Sequence, residues 1–322
     1  MDIGSDVAGS IRQPAHCCGV YGLKPTDGRV SLAGHILEVS ESPKCIRQML
    51  VPGPLARSVE DLRLCFTLIA GSDSRRPEIP PVPLDEPDEK PLKTLRLAWS
   101  DNFRVPVAAD IQSALRSAVN RLSESGATVE NWSPTEIDWT AAQQLYYRLA
   151  ACNYRYAQPV TLSAARKSLT FIWREATQGD PSLRQLGHPA QVLKAILAPT
   201  LQGYFKALTE RDLFIARLDQ ALEAWDAWLI PVAATPAFTH RPAWSAIEID
   251  GVSYPHAIAN GAYAMPFNLT GHPVVVIPLG QTQTGLPIGM QIVGKRWQEM
   301  GLLVIAQKVD QALNALKHPT GY

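Results

Sequence analysis

Residues 4–30 read GSDVAGSIRQPAHCCGVYGLKPTDGRV, and the reading of this stretch decides the reading of the whole chain. Ala8 and Gly9 stand directly before Ser10, small residues that permit close substrate approach and unusual backbone angles. Consecutive N–H groups from Val7 to Ser10 can converge on one oxyanion while the Ser10 hydroxyl attacks a carbonyl carbon. Preorganised donors of that kind contribute about 3–4 kcal/mol each to an acyl-transfer transition state. Ser5 is the other candidate in the stretch. A Gly-Ser pair in a small-residue loop equally describes an ordinary turn whose hydroxyl caps its neighbours, so the residues alone leave both readings open.

Around this stretch glycine and proline recur at Gly19, Gly22, Pro25, Gly28, Gly34, Pro43, Pro52, Gly53 and Pro54. The short apolar runs between them read as buried strands and tight turns around a site. RSVEDLRLCFTLIAG (57–71) then opens with Ser58 and Asp61 at capping-box spacing, repeats Val59, Leu62, Phe66 and Ile69 on one helical face, and stops at Gly71. Residues 72–93 are rich in proline and charge and predict a surface crossing. TLRLAWS (94–100) predicts a strand, 107–125 an amphipathic helix ended by Gly126, and ATVENW (127–132) a second strand. This βαβ unit calls for parallel pairing.

From about 136 to 226 the pattern is helical and gathers Trp139, Tyr146, Tyr147, Tyr154, Tyr156, Phe171 and Trp173, most of them expected in helix packing and a minority along a pocket. WLIPVAATP (228–236) and HPVVVIPLG (272–280) are continuous apolar runs, as expected of strands buried on both faces. LPIGMQIVG (286–294) adds a strand, and 297–316 a closing helix. Interleaved strands and helices give an α/β class with a single extended mixed β-sheet covered by helices.

Composition fits a globular chain: 322 residues, 46% hydrophobic, 19% charged, with 30 Lys+Arg against 30 Asp+Glu. The balanced charge gives no electrostatic reason to expect nucleic acid or an anionic membrane as partner. No apolar run approaches the roughly 18 residues of a spanning helix, and Asp2 follows Met1 where a signal peptide would be basic. A cytoplasmic protein is therefore expected. The cysteines are Cys17, Cys18, Cys45, Cys65 and Cys152, an odd number without C-x-x-C spacing, and no His stands at zinc-ligand spacing from any pair. They read as buried free thiols, with no metal or cofactor expected.

DVAGSIRQPAHCCGVYGLKPTDGRV (6–30) resembles the core of the amidase signature family, D-x-G-G-S-I-R-x-P-A followed by C-G-V-x-G-L-K-P-T-x-G-R-V. The resemblance continues in GPLARSVEDL (53–62), NLTGHPVVVIPLG (268–280) and GLPIGMQIVGKRWQE (285–299), and is weakest from about 134 to 225. It implies the amidase signature fold and a hydrolase of carboxylic amides using a Ser–cis-Ser–Lys triad. Ser10 falls on the nucleophile position, and Val7, Ala8, Gly9 and Ser10 on the oxyanion-hole loop. Ser5 falls on a position that helps hold the bridging serine. Asp6 and Arg12 fall on buried polar positions that fix the loop. Ala8 stands where glycine is commoner.

The family places its lysine base and cis-serine upstream of this segment. The chain is accordingly expected to be the C-terminal portion of an amidase signature domain (1–322), with little activity alone. Lys24, in GLKPT, matches the family's structural lysine and is expected to point away from Ser10; His16 is expected in a loop or the core. Implied partners are a small-molecule amide and either a second copy or a partner subunit. A stand-alone amidase, the glutaminase subunit of a tRNA-dependent amidotransferase and a non-catalytic remnant remain as alternatives. Phe267 and Asn268 face either the site or helix packing.

Overall fold

The computed structural model describes residues 1–35, 48–84, 86–87, 89–157, 170, 173–174, 176–182 and 200–314, without the side chains of 154–157. The expectations for Cys45, for Phe171, for the side chains of Tyr154 and Tyr156 and for the closing helix beyond Asn314 lie outside the described residues.

The chain opens with strand β1 (Asp2–Asp6), helix α1 (Arg12–Cys18) and strand β2 (Tyr21–Lys24). β3 (Val51–Ala56), α2 (Val59–Ile69), β4 (Arg96–Trp99), α3 (Ala109–Glu124), β5 (Thr128–Asn131) and α4 (Trp139–Ala157) follow. Then come α5 (Leu201–Leu222), β6 (Ala227–Pro231), the hairpin β7 (Ile247–Ile249) and β8 (Val252–Tyr254), and the short helices α6 (His256–Gly261) and α7 (Met265–Leu269). β9 (Val274–Gln281), β10 (Pro287–Val293) and α8 (Glu299–Leu313) close the described chain. Eight strands form one sheet in the order β1-β3-β2-β9-β10-β6-β4-β5. β4 pairs parallel with β5 and with β6, as the βαβ reading requires, while the pairs β1 with β3, β3 with β2, β2 with β9, β9 with β10 and β10 with β6 are antiparallel. The sheet is mixed, and helices cover it.

Local chemistry accounts for the elements. The Ser58 hydroxyl accepts from the Asp61 N–H at 3.0 Å and starts α2, which turns Val59, Leu62, Cys65 and Phe66 into the core. α3 buries Ile111, Leu115, Val119 and Leu122. Val274, Val275, Val276 and Ile277 of β9 are wholly buried, and each such side chain contributes about 1.5–3 kcal/mol. The proline-rich crossing is tied down where the Arg29 guanidinium donates to the carbonyls of Val82 and Pro83, both at 2.9 Å. Among the described residues no helix is long and apolar enough to cross a membrane.

The site depends on how closely α1 lies on the sheet. A Cβ at Gly22 of β2 would meet the Ala15 Cβ at 3.0 Å, and one at Gly289 of β10 would meet the His16 Cα at 3.3 Å. Only glycines let the helix backbone approach that far. A β-bulge between Ile288 and Gly289 turns the Gly289 N–H to His16 Nδ1 at 2.8 Å. His16 Nε2 lies 3.2 Å from the Thr235 carbonyl, so Nε2 carries the proton and Nδ1 accepts. Burial pushes the imidazole down to about 4, keeping it neutral, against the pull of the Thr235 carbonyl. His16 is thus a core histidine that pins α1 to β10 and to the segment that follows β6.

Candidate active site

The loop from Val7 to Ile11 joins β1, an edge strand of the sheet, to α1. Its organiser is Asp6, which is wholly buried. Asp6 Oδ1 accepts the Gly9 N–H at 2.7 Å, and Oδ2 accepts the N–H groups of Ile11 at 3.2 Å and Arg12 at 3.3 Å. The equally buried Arg12 guanidinium closes on the same carboxylate at 2.9 Å. Burial alone would raise the Asp6 pKa; the Arg12 charge and hydrogen bonds, with help from Asn268, overcome it and hold the carboxyl well below the usual range.

Arg12 also donates to Asn268 Oδ1 at 2.6 Å, to Gln291 Oε1 at 2.9 Å and to the Ala264 carbonyl at 2.8 Å. Asn268 Nδ2 returns bonds to the Asp6 carbonyl and carboxylate, both at 3.0 Å. From the other side the Tyr146 hydroxyl donates to the Val7 carbonyl at 2.7 Å. The buried ion pair therefore works as a clamp, with α7, β10 and α4 all gripping one loop. Its charges are paired and hydrogen-bonded, the condition under which burying them is tolerable.

Ser10 is exposed, and among the described residues its hydroxyl has no hydrogen-bond partner. Gly9, at φ +112°, takes a left-handed conformation that disfavours any side chain, and a Cβ there would meet the Ala264 Cβ at 3.0 Å. The expected row of four free N–H groups is corrected. Gly9 spends its N–H on Asp6, because a carboxylate buried beneath the turn draws in the nearest donors. The N–H groups of Val7, Ala8 and Ser10 have no partner among the described residues. Val7 and Ala8, like Phe103, pack against a hydrophobic core cluster that includes Trp139, Tyr146, Tyr147 and Phe267.

The other predicted residues are placed as follows. Ser5 Oγ lies 2.8 Å from His35 Nε2, beside a cavity of about 1000 Å³ that both residues line. Lys24 is wholly buried and donates to the Pro25 carbonyl at 2.8 Å. It makes no bond to Ser10. Burial first, and the Arg12 charge second, push its amine down to about 7 against the pull of Asp6, Asp27 and Glu299. Cys65 and Cys152 are buried free thiols, but Cys17 is only half-buried and Cys18 is exposed, which corrects the expectation for that pair because α1 presents its last turn outward.

Asn268, Gln291 and Tyr146 are the residues that the sequence reading missed as loop-holders. Asn268 and Gln291 lie inside family-like segments, so position was the only available signal; Tyr146 was indistinguishable from its aromatic neighbours. Phe267 and Asn268 are both wholly buried, the first in the same hydrophobic cluster as Trp139 and Tyr146 and the second in the clamp.

Comparison with known proteins gives the family and the fold. The family model named Amidase matches residues 1–303. The chain is 30% identical over 341 residues to a glutamyl-tRNA(Gln) amidotransferase subunit from Exiguobacterium sibiricum, covering 99% of this chain and 65% of that relative. The chain thus spans about 65% of the length of a curated relative it matches. Among solved structures, a bacterial aryl acylamidase of the amidase signature enzymes superposes with a TM-score of 0.71 at 23% identity, over 96% of this chain and 61% of that one. A glutamyl-tRNA(Gln) amidotransferase subunit from Thermotoga maritima gives 0.66 at 22% identity, over 96% and 61% of the two chains. These two structures share the fold. A family match running from the first residue through β1, the clamped loop and β10 into the first turn of α8 leaves one assignment: the chain belongs to the Amidase family.

Proposed function

We propose that the protein hydrolyses a carboxylic amide to an acid and ammonia or an amine through an acyl-enzyme on Ser10. The supporting observation is an exposed, unpartnered Ser10 hydroxyl on a clamped loop that keeps the N–H groups of Val7, Ala8 and Ser10 free. In this reading the hydroxyl adds to the amide carbon and the free N–H groups receive the developing oxyanion. Asp6 and Arg12 hold the loop without touching substrate, and Ser5 supports the bridging serine. A serine needs a base for its proton and the leaving nitrogen needs an acid. Lys24 does not serve, since its amine is tied to the Pro25 carbonyl. The lysine and cis-serine of the family's triad are to be sought in polypeptide outside these residues, and this chain is read as the nucleophile-bearing portion of the domain.

A fluorophosphonate probe tests the assignment. It is expected to label Ser10 in wild type and to leave Ser10→Ala unlabelled; equal labelling of the variant overturns the reading. The glutamyl-tRNA(Gln) amidotransferase relatives favour a second reading, the glutaminase subunit of such an assembly, with a partner subunit in place of a second copy. Co-purification with a partner encoded by a neighbouring gene decides between them. The cytoplasm is the proposed location in either case.

A further inference from the structure

Three residues beside the clamped loop bury polar atoms that have no hydrogen-bond partner among the described residues. Arg104 gives Nη1 to the Trp139 carbonyl at 2.6 Å, which leaves the Nε and Nη2 edge of its guanidinium shielded from water and without a hydrogen bond. Trp139 Nε1 is likewise buried and unpaired, and so is Oε1 of Gln143, whose Nε2 donates to the Tyr147 hydroxyl at 3.0 Å. Trp139 and Gln143 stand four residues apart on α4, on one face of the helix. That helix also sends the Tyr146 hydroxyl to the Val7 carbonyl. The Phe103 ring, next to Arg104 in sequence, lies 5.0 Å from that of Trp139.

Buried polar atoms are nearly always satisfied, and an unanswered set in one place marks a missing partner. The free edge of Arg104 is the one that matters. Nε–H and one Nη2–H point in parallel and match the two oxygens of a carboxylate. Among the described residues no carboxylate forms an ion pair with Arg104. Asp138 is occupied at the start of α4, where its Oδ1 accepts the N–H groups of Thr140 and Ala141, both at 2.9 Å. The Trp139 N–H offers a third donor and Gln143 Oε1 an acceptor, suited to an N–H or ammonium group on the same molecule. Burial of the guanidinium lowers its pKa to about 10, still charged at neutral pH.

We propose that Arg104, Trp139 and Gln143 form a recognition site for the carboxylate of a small amide substrate, so that the enzyme prefers amides that also carry a free acid group. The placement of this site on the substrate's path rests on the reading of Ser10 as nucleophile; the binding itself does not.

The test is calorimetric titration of the 322-residue chain carrying Ser10→Ala, to prevent turnover, with the monoamides of succinic, glutaric and adipic acids and with neutral butyramide. At least one monoamide is expected to bind more tightly than butyramide. Arg104→Met is expected to weaken it by about 10- to 100-fold, the range for charge-assisted hydrogen bonds, while leaving butyramide unchanged. Arg104→Lys should recover part of the loss. Absence of any preference for the acid-bearing amides, or their undiminished binding by folded Arg104→Met, overturns the proposal. Where Arg104→Met does not fold, Trp139→Phe and Gln143→Leu decide, since each removes one unpaired polar atom and keeps most of the shape. Weakened monoamide binding in either supports the site, and unchanged binding in both rejects it. Failure of the probe to label Ser10 while these affinities behave as expected removes the nucleophile and leaves the recognition site standing.

Discussion

Asp6 and Arg12 show how much one pair of side chains can organise. Three backbone N–H groups, one guanidinium and one carboxamide converge on a carboxylate with no access to water. Removing one charge strands the other, so Arg12→Met is expected to cost about 3–5 kcal/mol in denaturant unfolding. A loss under 1 kcal/mol would mean that the clamp contributes little. Asp6 has a depressed pKa in the fold, so its contribution disappears only as pH falls below 3.8, its ordinary value. His16 acts in a higher window. Its folded-state pKa of about 4 lies below the ordinary 6.5, so between those values the unfolded chain binds the extra proton and stability rises with pH. The rise attributable to it is on the order of 3 kcal/mol. Unfolding free energies from pH 4 to 7 should climb more steeply for wild type than for His16→Asn; parallel curves would contradict the assignment of a neutral buried imidazole.

Elements meet here through small residues. α1 carries Arg12 at its start and follows directly on the Ser10 loop, so its seat on β2 and β10 sets where that loop stands. Gly22→Ala places a methyl 3.0 Å from the Ala15 Cβ and 3.1 Å from Ile11 Cγ2, both on or beside α1. Overpacking of this kind costs about 1–3 kcal/mol, and it shifts the helix bearing the clamp. The substitution is therefore expected to lower stability by that amount and also to slow probe labelling of Ser10 in protein that remains folded. Labelling at the wild-type rate would show that the loop is held independently of α1.

At the scale of the molecule, the proposed nucleophile is held in place, and among the described residues no base is bonded to it. Ser10 lies exposed after an edge strand, while Lys24 is wholly buried and bonded to its neighbour's carbonyl. If the base lies in polypeptide outside these residues, as proposed, the 322 residues alone are expected to hydrolyse aryl and alkyl amides weakly, near the residual ~10³–10⁴-fold acceleration over water that survives loss of a triad member. A version extended upstream through the family's lysine and cis-serine should be faster by orders of magnitude. Comparable turnover by both versions would show that a base is supplied within these residues. Leu64 and Leu68 on the outer face of α2, and Ile3 on β1, stay more than half exposed, an apolar surface available for contact with further polypeptide.

Much of this was legible in the linear chain because it rests on local rules. The spacing of Ser58 and Asp61 announced α2, the apolar period announced α3, and the strand–helix–strand succession announced the parallel pairs of β4 with β5 and β6. The glycine, serine and proline pattern of residues 4–30 announced tight turns around Ser10, since those residues suit unusual backbone geometry, and the family resemblance is what singled that serine out as the expected nucleophile. What only the tertiary structure decided depends on residues far apart in the chain. Asn268 and Gln291 reach Arg12 across more than 250 positions. Tyr146 is singled out from its aromatic neighbours only by touching Val7, and the free edge of Arg104 is defined by the lack of a partner for it among the described residues. Gly9 lost its N–H to a carboxylate three residues earlier, a choice that sequence left open because either an oxyanion or Asp6 could take it. Burial of Asp6 settled the matter: a charge removed from water claims every donor within reach.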